Sequence, residues 1–587
     1  MSLTWNKTYD VVVLGFGAAG ATAARFAADT GAKVLLVDSA PEGHEGGNTR
    51  YCGQIIGFAT DKAKMKQYYH QLQKPLDLDE SMIDTYVDGF INMKQYIEKY
   101  FDVEPISVKS VMNSWGSMLK SMIPEYPEYK GAESYDTFVL TKGFFNGSLW
   151  KQLRKEVLKR KNITVWYQSP AKHLITQDSK SAGVQIDHNH VITNIKANNG
   201  VVLATGGFEN NQKMIQDYLG RDWLVPQGSI YNKGDGISMA EEVGADMWHM
   251  HNFESLGLTY RMPVGQRGPI LFAWTAMANG SALVIGDDGT RYFNETESHR
   301  HGHNYFHGTW MIPQPTTKPY LIFDKAQYQK LEGLKLGDQF EQMLISADSI
   351  EALAIKIDAN PKVLTQTIQD FNEQIKLGKD YQFNRDINTM KPLEGEKYYA
   401  LPLKQSMLNT QGGPRRNANA QVLDPSGEPI NHLYSAGELG GISANEYQGG
   451  NNIAECLIFG KIAGENAAMP KDGNPVYDKA EVLTSASVKE GSAEDEYKVG
   501  KNQYIGRSDL GMGDELVVRV TYENHKISNV EVLKDSESSD YGKKALEQIP
   551  TRIVQANDTK VDAVTGASMT SRAIEDAVQN ALKKVKK

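Results

Sequence analysis

Cysteine is nearly absent from this chain of 587 residues, which contains only Cys52 and Cys456. Two cysteines far apart in sequence exclude a disulfide framework, a cysteine-rich zinc site and a thiolate-ligated iron–sulfur cluster. The histidines of residues 299–307 have no carboxylate or cysteine at clear ligand spacing, so we expect no metal. The net charge of −9 argues against a dedicated nucleic-acid-binding protein, which usually carries a basic face.

Long hydrophobic runs are missing as well. No apolar stretch reaches the roughly 18 residues of a membrane-spanning helix, so we expect no membrane insertion. The first residues, MSLTWNKTYD, lack the basic segment and apolar segment of a secretory signal. We therefore expect a cytoplasmic protein. Its content of 40% hydrophobic and 23% charged residues is typical of globular chains.

The order of strand and helix patterns predicts an α/β chain of several domains. Residues 9–15 form a β-branched run typical of a strand in a parallel sheet, and an alanine-rich helix and the strand KVLLVD follow. Hairpin turns are predicted at Asp288–Gly289 and at Glu523–Asn524. The predicted divisions are residues 1–248 and 402–469 for the first domain, 249–401 for an inserted domain, 470–495 for a polar linker and 496–587 for a small α+β domain.

The segment GFGAAG, residues 15–20, follows the first strand, opens the first helix and predicts a dinucleotide site. Gly15 permits the tight turn, Gly17 lets the main chain approach a pyrophosphate, and Gly20 lets the helix pack on the strand. Ala19 belongs to the same turn, and Asp38, at the end of the next strand, would take the ribose hydroxyls. The helix N-terminus would stabilise the phosphate charge.

Further glycine clusters favour FAD over NAD. A long cofactor that lies across a domain needs several close approaches of the main chain, and NAD in a two-domain dehydrogenase needs fewer. Each cluster taken alone is also compatible with a plain turn. The predicted cofactor residues in these clusters are Gly46, Gly47, Asn48, Thr49, Thr205, Gly206, Gly207, Gly450 and Asn452.

The segments GFGAAG, EGGNTR, LATGGF and LYSAGELGG…GGNNIAECLIFGKIAG, in this order, resemble the flavoprotein family of fumarate reductases, urocanate reductases and 3-ketosteroid dehydrogenases. The resemblance covers roughly residues 8–468. It implies a Rossmann-like FAD-binding domain with an inserted α+β capping domain and non-covalent FAD. It also implies that Glu438 belongs to the FAD-binding surface.

The segment DAVTGAS, residues 562–568, precedes the last helix. Local chemistry leaves two interpretations: an anion site at the helix N-terminus, or capping of the helix by Ser568 or Thr570. Residues 496–583 resemble the small FMN-binding domain of such reductases and of sodium-pumping quinone oxidoreductases. The resemblance implies FMN bound covalently to Ser568 through a phosphoester, with Asp562, Thr565 and Gly566 as positions that a separate FMN transferase recognises.

The substrate positions of the family are altered in this chain. Fumarate reductases carry polar dicarboxylate-binding residues before a strand that matches GSALVIG, and here those places hold Ala273, Trp274 and Met277. A second carboxylate-binding arginine of the family lies in a segment that matches ANEYQGG, residues 444–450, and this segment contains no arginine. The resemblance therefore argues against fumarate.

Reduction of an activated double bond needs an acid for the α-carbon and hydrogen-bond donors for the carbonyl. The family's proton donor follows a segment that matches RYFNE, residues 291–295, and its offset falls on His299 or Arg300. Tyr447 resembles the tyrosine beside the substrate carbonyl in ketosteroid dehydrogenases. The remaining predicted substrate-binding residues are Trp274, Met277, His251, Asn409, Gln411 and Glu446. The alternative is a solvated polar loop for the histidines of residues 299–307 and a packing role for Tyr447.

These features predict an ene-reductase of an α,β-unsaturated acid, and the chain resembles phenolic acid reductases that act on aryl acrylates such as hydroxycinnamates. FMN would relay electrons to FAD. Because no second GxGxxG unit is present, we expect a separate NAD(P)H:flavin electron donor. The alternatives are reduction of a 3-ketosteroid or bile-acid enone, of fumarate or of urocanate, and a non-catalytic flavin electron-transfer module.

Overall fold

The computed structural model describes residues 4–115, 123–177, 180–297, 300–306, 308–313, 316–334, 336, 338–443, 445–471, 497–513, 515–538, 541–564 and 566–585. The chain forms two compact units. The larger unit comprises Met1–Asn211, Gly228–Phe253 and Asn409–Lys587, and the smaller unit comprises Gln212–Gln227 and Glu254–Leu408. Thus the smaller unit takes in residues 212–227 as well as most of the range predicted as an inserted domain.

The strands, in chain order, are β1 (Lys7–Leu14), β2 (Val34–Val37), β3 (Ile56–Ala59), β4 (Ile106–Ser107), β5 (Tyr135–Val139), β6 (Ile163–Trp166), β7 (Ala171–Gln177), β8 (Lys180–His188), β9 (Val191–Leu203), β10 (Val225–Pro226), β11 (Met247–Trp248), β12 (Phe253–Glu254), β13 (Leu258–Tyr260), β14 (Ala282–Ile285), β15 (Asn304–Phe306), β16 (Thr309–Met311), β17 (Tyr320–Asp324), β18 (Ile345–Ala347), β19 (Tyr398–Met407), β20 (Asn409–Thr410), β21 (Gly413–Pro414), β22 (Gln421–Leu423), β23 (Pro429–Ser435), β24 (Gln503–Ser508), β25 (Leu516–Glu523) and β26 (Lys526–Lys534).

The α-helices are α1 (Ala18–Asp29), α2 (Gly47–Tyr51), α3 (Lys62–Leu72), α4 (Glu80–Ile91), α5 (Met93–Phe101), α6 (Val108–Trp115), α7 (Ser148–Leu158), α8 (Gln212–Leu219), α9 (Asp235–Glu242), α10 (Trp274–Ala278), α11 (Lys325–Glu332), α12 (Asp338–Met343), α13 (Ile350–Lys356), α14 (Pro361–Leu377), α15 (Asn451–Ala468), α16 (Tyr541–Ala556) and α17 (Ser568–Leu582). Short 3-10 turns occur at Ala132–Ser134 and Ile387–Thr389.

The main sheet of the larger unit has the strand order β22-β23-β8-β9-β1-β2-β6, with β7 paired to β8. Strand β1 pairs in parallel with β2 and β9, and β2 pairs in parallel with β6. Val11 to Leu14 have no exposed surface, as expected for a strand that is covered on both faces. The predicted β-α-β unit and α/β fold class are confirmed.

Helix α1 lies directly against helix α15, and the two main chains touch. A Cβ atom on Gly464 would lie 2.2 Å from the carbonyl oxygen of Ala23, and one on Gly460 would lie 2.8 Å from that of Ala19. No side chain fits between the helices at these points. Helix α15, which contains Gly460 and Gly464, is therefore held against α1, the helix that follows the first glycine motif.

Residues 497–585 form a C-terminal module at the end of the larger unit. Its antiparallel sheet β24-β25-β26 carries α16 and α17 on a shared apolar core that includes Val518, Ile549 and Ile574. The hairpin between β25 and β26 turns at Asn524 and His525, whose φ angles are 51° and 61°. The turn therefore lies one residue later than predicted. Most of the predicted linker, residues 472–495, falls outside the described residues.

The smaller unit is built on the sheet β10-β19-β17-β14, with β13 and β18 also paired to β19. Alternate residues of β17 enter two separate apolar cores: Leu321 and Phe323 lie in one, and Tyr320 and Ile322 in the other. The predicted turn at Asp288–Gly289 is present, because the amide of Gly286 donates to the carbonyl of Thr290 at 2.9 Å.

Four charged side chains form a buried network in the smaller unit. Arg291 donates to both carboxylate oxygens of Glu295, each at 2.8 Å, and to Asp380 at 3.1 Å. Arg385 donates to Glu295 at 3.2 Å and to the main-chain oxygen of Ala282 at 2.9 Å. The two arginines lower the pKa of Glu295 against the opposing effect of burial, so this carboxylate is held in its charged form.

We expect Glu295→Ala to destabilise the smaller unit by about 3–5 kcal/mol, because the change leaves two buried guanidinium groups without their main counter-charge. Urea unfolding followed by circular dichroism would measure the loss. Glu373→Ala is the matched control in the same unit, since Glu373 pairs with Lys376 in solvent and such a pair contributes at most about 1 kcal/mol. Equal midpoints for the two variants would contradict the role assigned to the network.

Candidate functional site

The predicted glycine turn joins β1 to α1, and two of its glycines are required by the protein itself. Gly15 has φ of +98°, and a Cβ there would lie 2.3 Å from the carbonyl oxygen of Ala204. A Cβ on Gly20 would lie 1.8 Å from the carbonyl oxygen of Gly15. The side chain of Ala19 packs against the protein, since a Cβ on Gly437 would lie 2.9 Å from the Cβ of Ala19.

Gly17 is different, because a side chain there would meet no obstacle within the protein. Its φ is −90°, and a Cβ would lie 3.6 Å from the nearest atom, the carbonyl oxygen of Gly46. The space over Gly17, at the N-terminus of α1, is thus a cradle that the protein leaves free. It fits a pyrophosphate, whose charge the helix N-terminus would stabilise.

Asp38 stands at the end of β2, beside the glycine turn. Its carboxylate accepts hydrogen bonds from the amides of Phe16 at 2.6 Å and Ala40 at 2.7 Å. Burial raises the pKa of Asp38 to about 6. Each oxygen keeps a lone pair beyond these bonds, which suits the predicted contact with ribose hydroxyls.

Asn48, from the EGGNTR segment, joins two buried carboxyl groups. Its amide nitrogen donates to Glu209 and to Glu438, each at 2.9 Å, and its oxygen accepts from the amide of Ser229 at 2.8 Å. The amide of Gly207 also donates to Glu438, at 3.0 Å. Burial raises the pKa of both carboxyls, and their mutual repulsion raises that of Glu438 further, so the pair holds a proton. Glu209 was not predicted.

Thr49 connects the EGGNTR segment to the glycine turn, since its hydroxyl accepts from the amide of Ala18 at 3.1 Å. Gln54 bonds the carbonyl of Thr49 at 2.7 Å and caps α7 by accepting from the amide of Leu149 at 3.1 Å. The indole of Trp150 then packs on Gly46, where an added Cβ would lie 2.8 Å from its ring. Helix α7 therefore supports the segments that are predicted to bind the cofactor.

The loop at residues 437–441 carries Glu438, and buried side chains bind its carbonyl groups. Arg416 donates to Leu439 at 3.0 Å, Trp248 donates to Gly440 at 3.3 Å, and a ring nitrogen of His249 lies 2.9 Å from the oxygen of Gly441. Burial lowers the pKa of His249 to about 3, so its ring is neutral. These contacts hold Glu438 toward Asn48.

The side chain of Gln411 is suited to contact with a bound group. Its side chain has no exposed surface, and neither amide atom has a hydrogen-bond partner among the residues that the structure describes. A buried amide without partners costs about 1–3 kcal/mol, which a bound cofactor or substrate would remove. Of the nearby predictions, Asn409 is buried and bonds the carbonyl of Thr410, and His251 is exposed.

The segment before α15 is anchored on both sides of Tyr447. Glu446 accepts from the hydroxyl of Tyr129 at 2.7 Å, and Gln448 accepts from that of Tyr68 at 2.7 Å. The hydroxyl of Tyr447 lies 3.4 Å from the amide of Asn452, in the first turn of α15. Glu446, predicted to bind substrate, is thus engaged in holding this segment in place.

In the smaller unit, Trp274 lines a cleft. The indole nitrogen donates to the carbonyl of Glu295 at 3.0 Å, which fixes the ring. Met277, predicted to bind substrate, has no exposed surface and packs in the apolar core, so it supports α10 and does not line the cleft. The residues around the cleft are Leu256, Gly257, Leu258, Trp274, Tyr292, Phe293, Glu297, Gly302, Asn304, Pro313 and Gln405.

Glu297 and Asn304, both on the wall of this cleft, were not assigned a role from sequence. Burial raises the pKa of Glu297, and the amide of Tyr305 donates to it at 3.2 Å. Arg300 lies over the ring of Trp310, with its guanidinium carbon 3.8 Å from the ring centroid. His299, the other predicted proton donor, lies outside the described residues.

In the C-terminal module, α17 begins at Ser568, whose side chain is exposed. Ala567 occupies the N-cap position without a side-chain hydrogen bond, and the hydroxyl of Thr570 donates to Glu537 at 2.5 Å. The interpretation of Ser568 or Thr570 as a helix cap is therefore wrong. Gly566 has φ of +80° beside the ring of Tyr541.

The other predicted attachment residues are only partly described. Asp562 is exposed, and its carbonyl accepts from Arg552 at 2.6 Å. Thr565 lies outside the described residues.

Both cysteines lie in the larger unit, next to the cofactor-binding segments. Burial raises the pKa of Cys52 to about 11 and that of Cys456 to about 12. Among the described residues no group of three histidine, cysteine, aspartate or glutamate side chains could hold a metal ion. None of the described helices is both long enough and apolar enough to span a bilayer.

A family model described as an FAD binding domain matches residues 10–453, and one described as an FMN-binding domain matches residues 511–583. A probable fumarate reductase of Shewanella frigidimarina is 28% identical over 471 residues, which cover 79% of this chain and 75% of that protein. The NADH:acrylate oxidoreductase of Vibrio harveyi is 28% identical over 534 residues, which cover 80% of this chain and 51% of that protein. This chain therefore spans about half the length of the acrylate oxidoreductase.

The solved structure of a 3-ketosteroid delta1-dehydrogenase from Sterolibacterium denitrificans superimposes with a TM-score of 0.63 at 20% identity, covering 79% of this chain and 100% of that one. This likeness shows a shared fold. The predicted FAD-binding and FMN-binding domains are both present.

We expect Gly17→Ala to fold normally and to bind FAD at least tenfold more weakly, because the added methyl group fills only the cradle. Titration of the apo-protein with FAD, followed by flavin fluorescence, would measure the affinity, and thermal unfolding of the apo-protein would measure stability. Gly20→Ala is the comparison: it should destabilise the apo-protein itself. Unchanged FAD affinity of Gly17→Ala would show that the cofactor does not approach this point.

Proposed function

The chain belongs to the flavoprotein family defined by this FAD binding domain, and from that premise we propose that it reduces the carbon–carbon double bond of an α,β-unsaturated carboxylate. The names of two relatives, a probable fumarate reductase and an acrylate oxidoreductase, support this reaction class. When bound, FAD supplies the hydride for the β-carbon and FMN supplies the electrons that restore FAD. The protein's own residues bind the acid, orient it and deliver a proton.

The proposed substrate is an aryl acrylate such as a hydroxycinnamate. The observation that carries this proposal is the cleft in which Trp274 stands with Tyr292 and Phe293. Aromatic side chains bind an aryl ring by stacking and edge contacts worth about 0.5–1.5 kcal/mol beyond area burial. Apolar and aromatic side chains at this position would not bind the second carboxylate of fumarate. An aryl group would be stabilised by packing against them.

Arg300 is the proposed proton donor for the α-carbon. Its guanidinium is held in place by the ring of Trp310, and such a positioned cation can also bind a carboxylate through two hydrogen bonds. His299 is the alternative donor. Tyr447 is proposed to donate its hydroxyl to a carboxylate or carbonyl oxygen of the substrate, which would stabilise charge that develops there.

Ser568 is proposed to carry FMN through a phosphoester bond formed by a separate FMN transferase. Its exposed position at the start of α17 supports this assignment, because the hydroxyl is open to a modifying enzyme. A separate NAD(P)H:flavin partner is the proposed electron donor.

An anaerobic assay with a chemically reduced dye tests the reaction. The holoenzyme is offered caffeate, cinnamate, fumarate, urocanate and a 3-ketosteroid enone in separate reactions, and dye oxidation is followed by absorbance. We expect the aryl acrylates to give the fastest oxidation. Trp274→Ala should lower kcat/KM for them by about 10- to 100-fold, while the exposed neighbour variant Phe272→Ala should leave it unchanged.

The other outcomes separate the alternatives. Fastest turnover of fumarate would mean that the carboxylate-binding positions have been misassigned. Fastest turnover of the enone would place the chain with the steroid reductases. If no acceptor reacts while both flavins are still bleached by the dye, the chain is an electron-transfer module and the proposal fails.

We expect Ser568→Ala to abolish covalent FMN, because the phosphoester needs the hydroxyl oxygen. The chain is produced together with an FMN transferase, denatured and analysed by intact mass spectrometry. Ser528→Ala, at an exposed hydroxyl on β26 of the same module, is the control and should keep the added mass. Retention of FMN by Ser568→Ala would contradict the assignment.

A further inference from the structure

Within the larger unit, two basic side chains of residues 1–211 bind main-chain carbonyl groups of the C-terminal module. Arg50 donates to the carbonyl of Ser536 and, at 3.2 Å, to that of Glu45. The ammonium group of Lys151 donates to the carbonyls of Asp509 and Gly511, the latter at 2.8 Å. Arg50 is almost completely buried by these contacts.

The main chains approach closely around these two bonds. A Cβ on Gly43 would lie 2.9 Å from the Cβ of Ser536. One on Gly147, at the start of α7, would lie 3.6 Å from the carbonyl oxygen of Met512. Loops 509–513 and 535–538 of the module therefore rest on residues 43–50 and on the first turn of α7.

The same residues support the glycine turn. Lys151 follows Trp150, which packs on Gly46 and meets the ring of Phe16 edge-on, with centroids 5.2 Å apart. Phe16 lies within the glycine turn itself. A contact that orders residues 43–50 and α7 thus also orders the wall of the FAD site.

On the module's side, Glu537 ties the contacting loops to α17. Its buried carboxylate accepts from the amides of Met512 at 3.1 Å and Gly513 at 3.2 Å and from the hydroxyl of Thr570 at 2.5 Å. Thr570 lies in the first turn of the helix that begins at Ser568. The loops that touch residues 43–50 and α7 are therefore connected to the proposed FMN attachment point by the side chain of Glu537.

We propose that residues 43–50 and the first turn of α7 form a docking surface for the chain's own C-terminal module, and that docking and FAD binding stabilise each other. The physical reason is shared order: FAD and the module each immobilise the same segments, so whichever binds first lowers the entropic cost for the second. The coupling is reciprocal by thermodynamic necessity. This inference goes beyond the reaction proposed above and does not depend on its substrate.

Hydrogen–deuterium exchange of the full chain tests the docking surface. In the FAD-loaded protein, Lys151→Glu should speed amide exchange in residues 509–513 and 43–50 by about tenfold, because a carboxylate cannot donate to the two carbonyls. Strands β24–β26 should exchange as before, which shows that the module remains folded. Lys155→Glu, an exposed residue on the same helix, makes the same charge change away from the contact and should alter neither segment.

A second measurement tests the coupling between docking of the module and binding of FAD. Addition of FAD to the apo-protein should protect residues 509–513, and Lys151→Glu should weaken FAD binding by several-fold. If Lys151→Glu exchanges like the parent, the docking surface is refuted. If FAD leaves residues 509–513 unprotected, the coupling is refuted. Neither readout requires turnover, so failure of the proposed reductase activity would leave both intact.

Discussion

Contact between main chains is the constraint on which the larger unit depends. Gly15 of the glycine turn lies against the carbonyl of Ala204, and α1 lies against α15 at Gly460 and Gly464. At each of these contacts the main chains are too close for a side chain to fit. These contacts fix the relative positions of three glycine-rich segments that are far apart in sequence. Close packing, and not the connecting loops alone, therefore positions the turn that contains Gly17.

The two units stabilise their buried acidic groups in different ways. In the smaller unit, Glu295 keeps its charge because Arg291 and Arg385 surround it. In the larger unit, Glu209 and Glu438 meet on the amide of Asn48, where burial raises the pKa of both carboxyls and the charge of Glu209 raises that of Glu438 further. The first arrangement serves rigidity, since every donor and acceptor is used. The second arrangement holds a proton between the two carboxyl groups, so only part of its charge is present.

Local patterns predicted the parts of the fold that depend on neighbouring residues. The buried run of β1 and the glycines of the turn belong to this class, and they follow from strand burial and main-chain sterics. The segment 212–227 was missed because β10 joins the smaller unit through its pairing with the distant strand β19 and through the apolar core that contains Val225, and no local pattern reveals these contacts. Glu209 acquires its significance from distant partners, and Gln411 from the lack of a partner for its amide among the described residues. The burial of Met277 in an apolar core depends on distant residues as well.

The chemistry of the two cysteines has a practical consequence. A thiol reacts with maleimides or iodoacetamide as the thiolate, and the raised pKa values of Cys52 and Cys456 leave almost none at neutral pH. We therefore expect both native thiols to react slowly with such reagents. A single cysteine introduced on the surface of the C-terminal module would react faster with a spin label or fluorophore, and its distance from the flavin could then be followed without removal of the native cysteines.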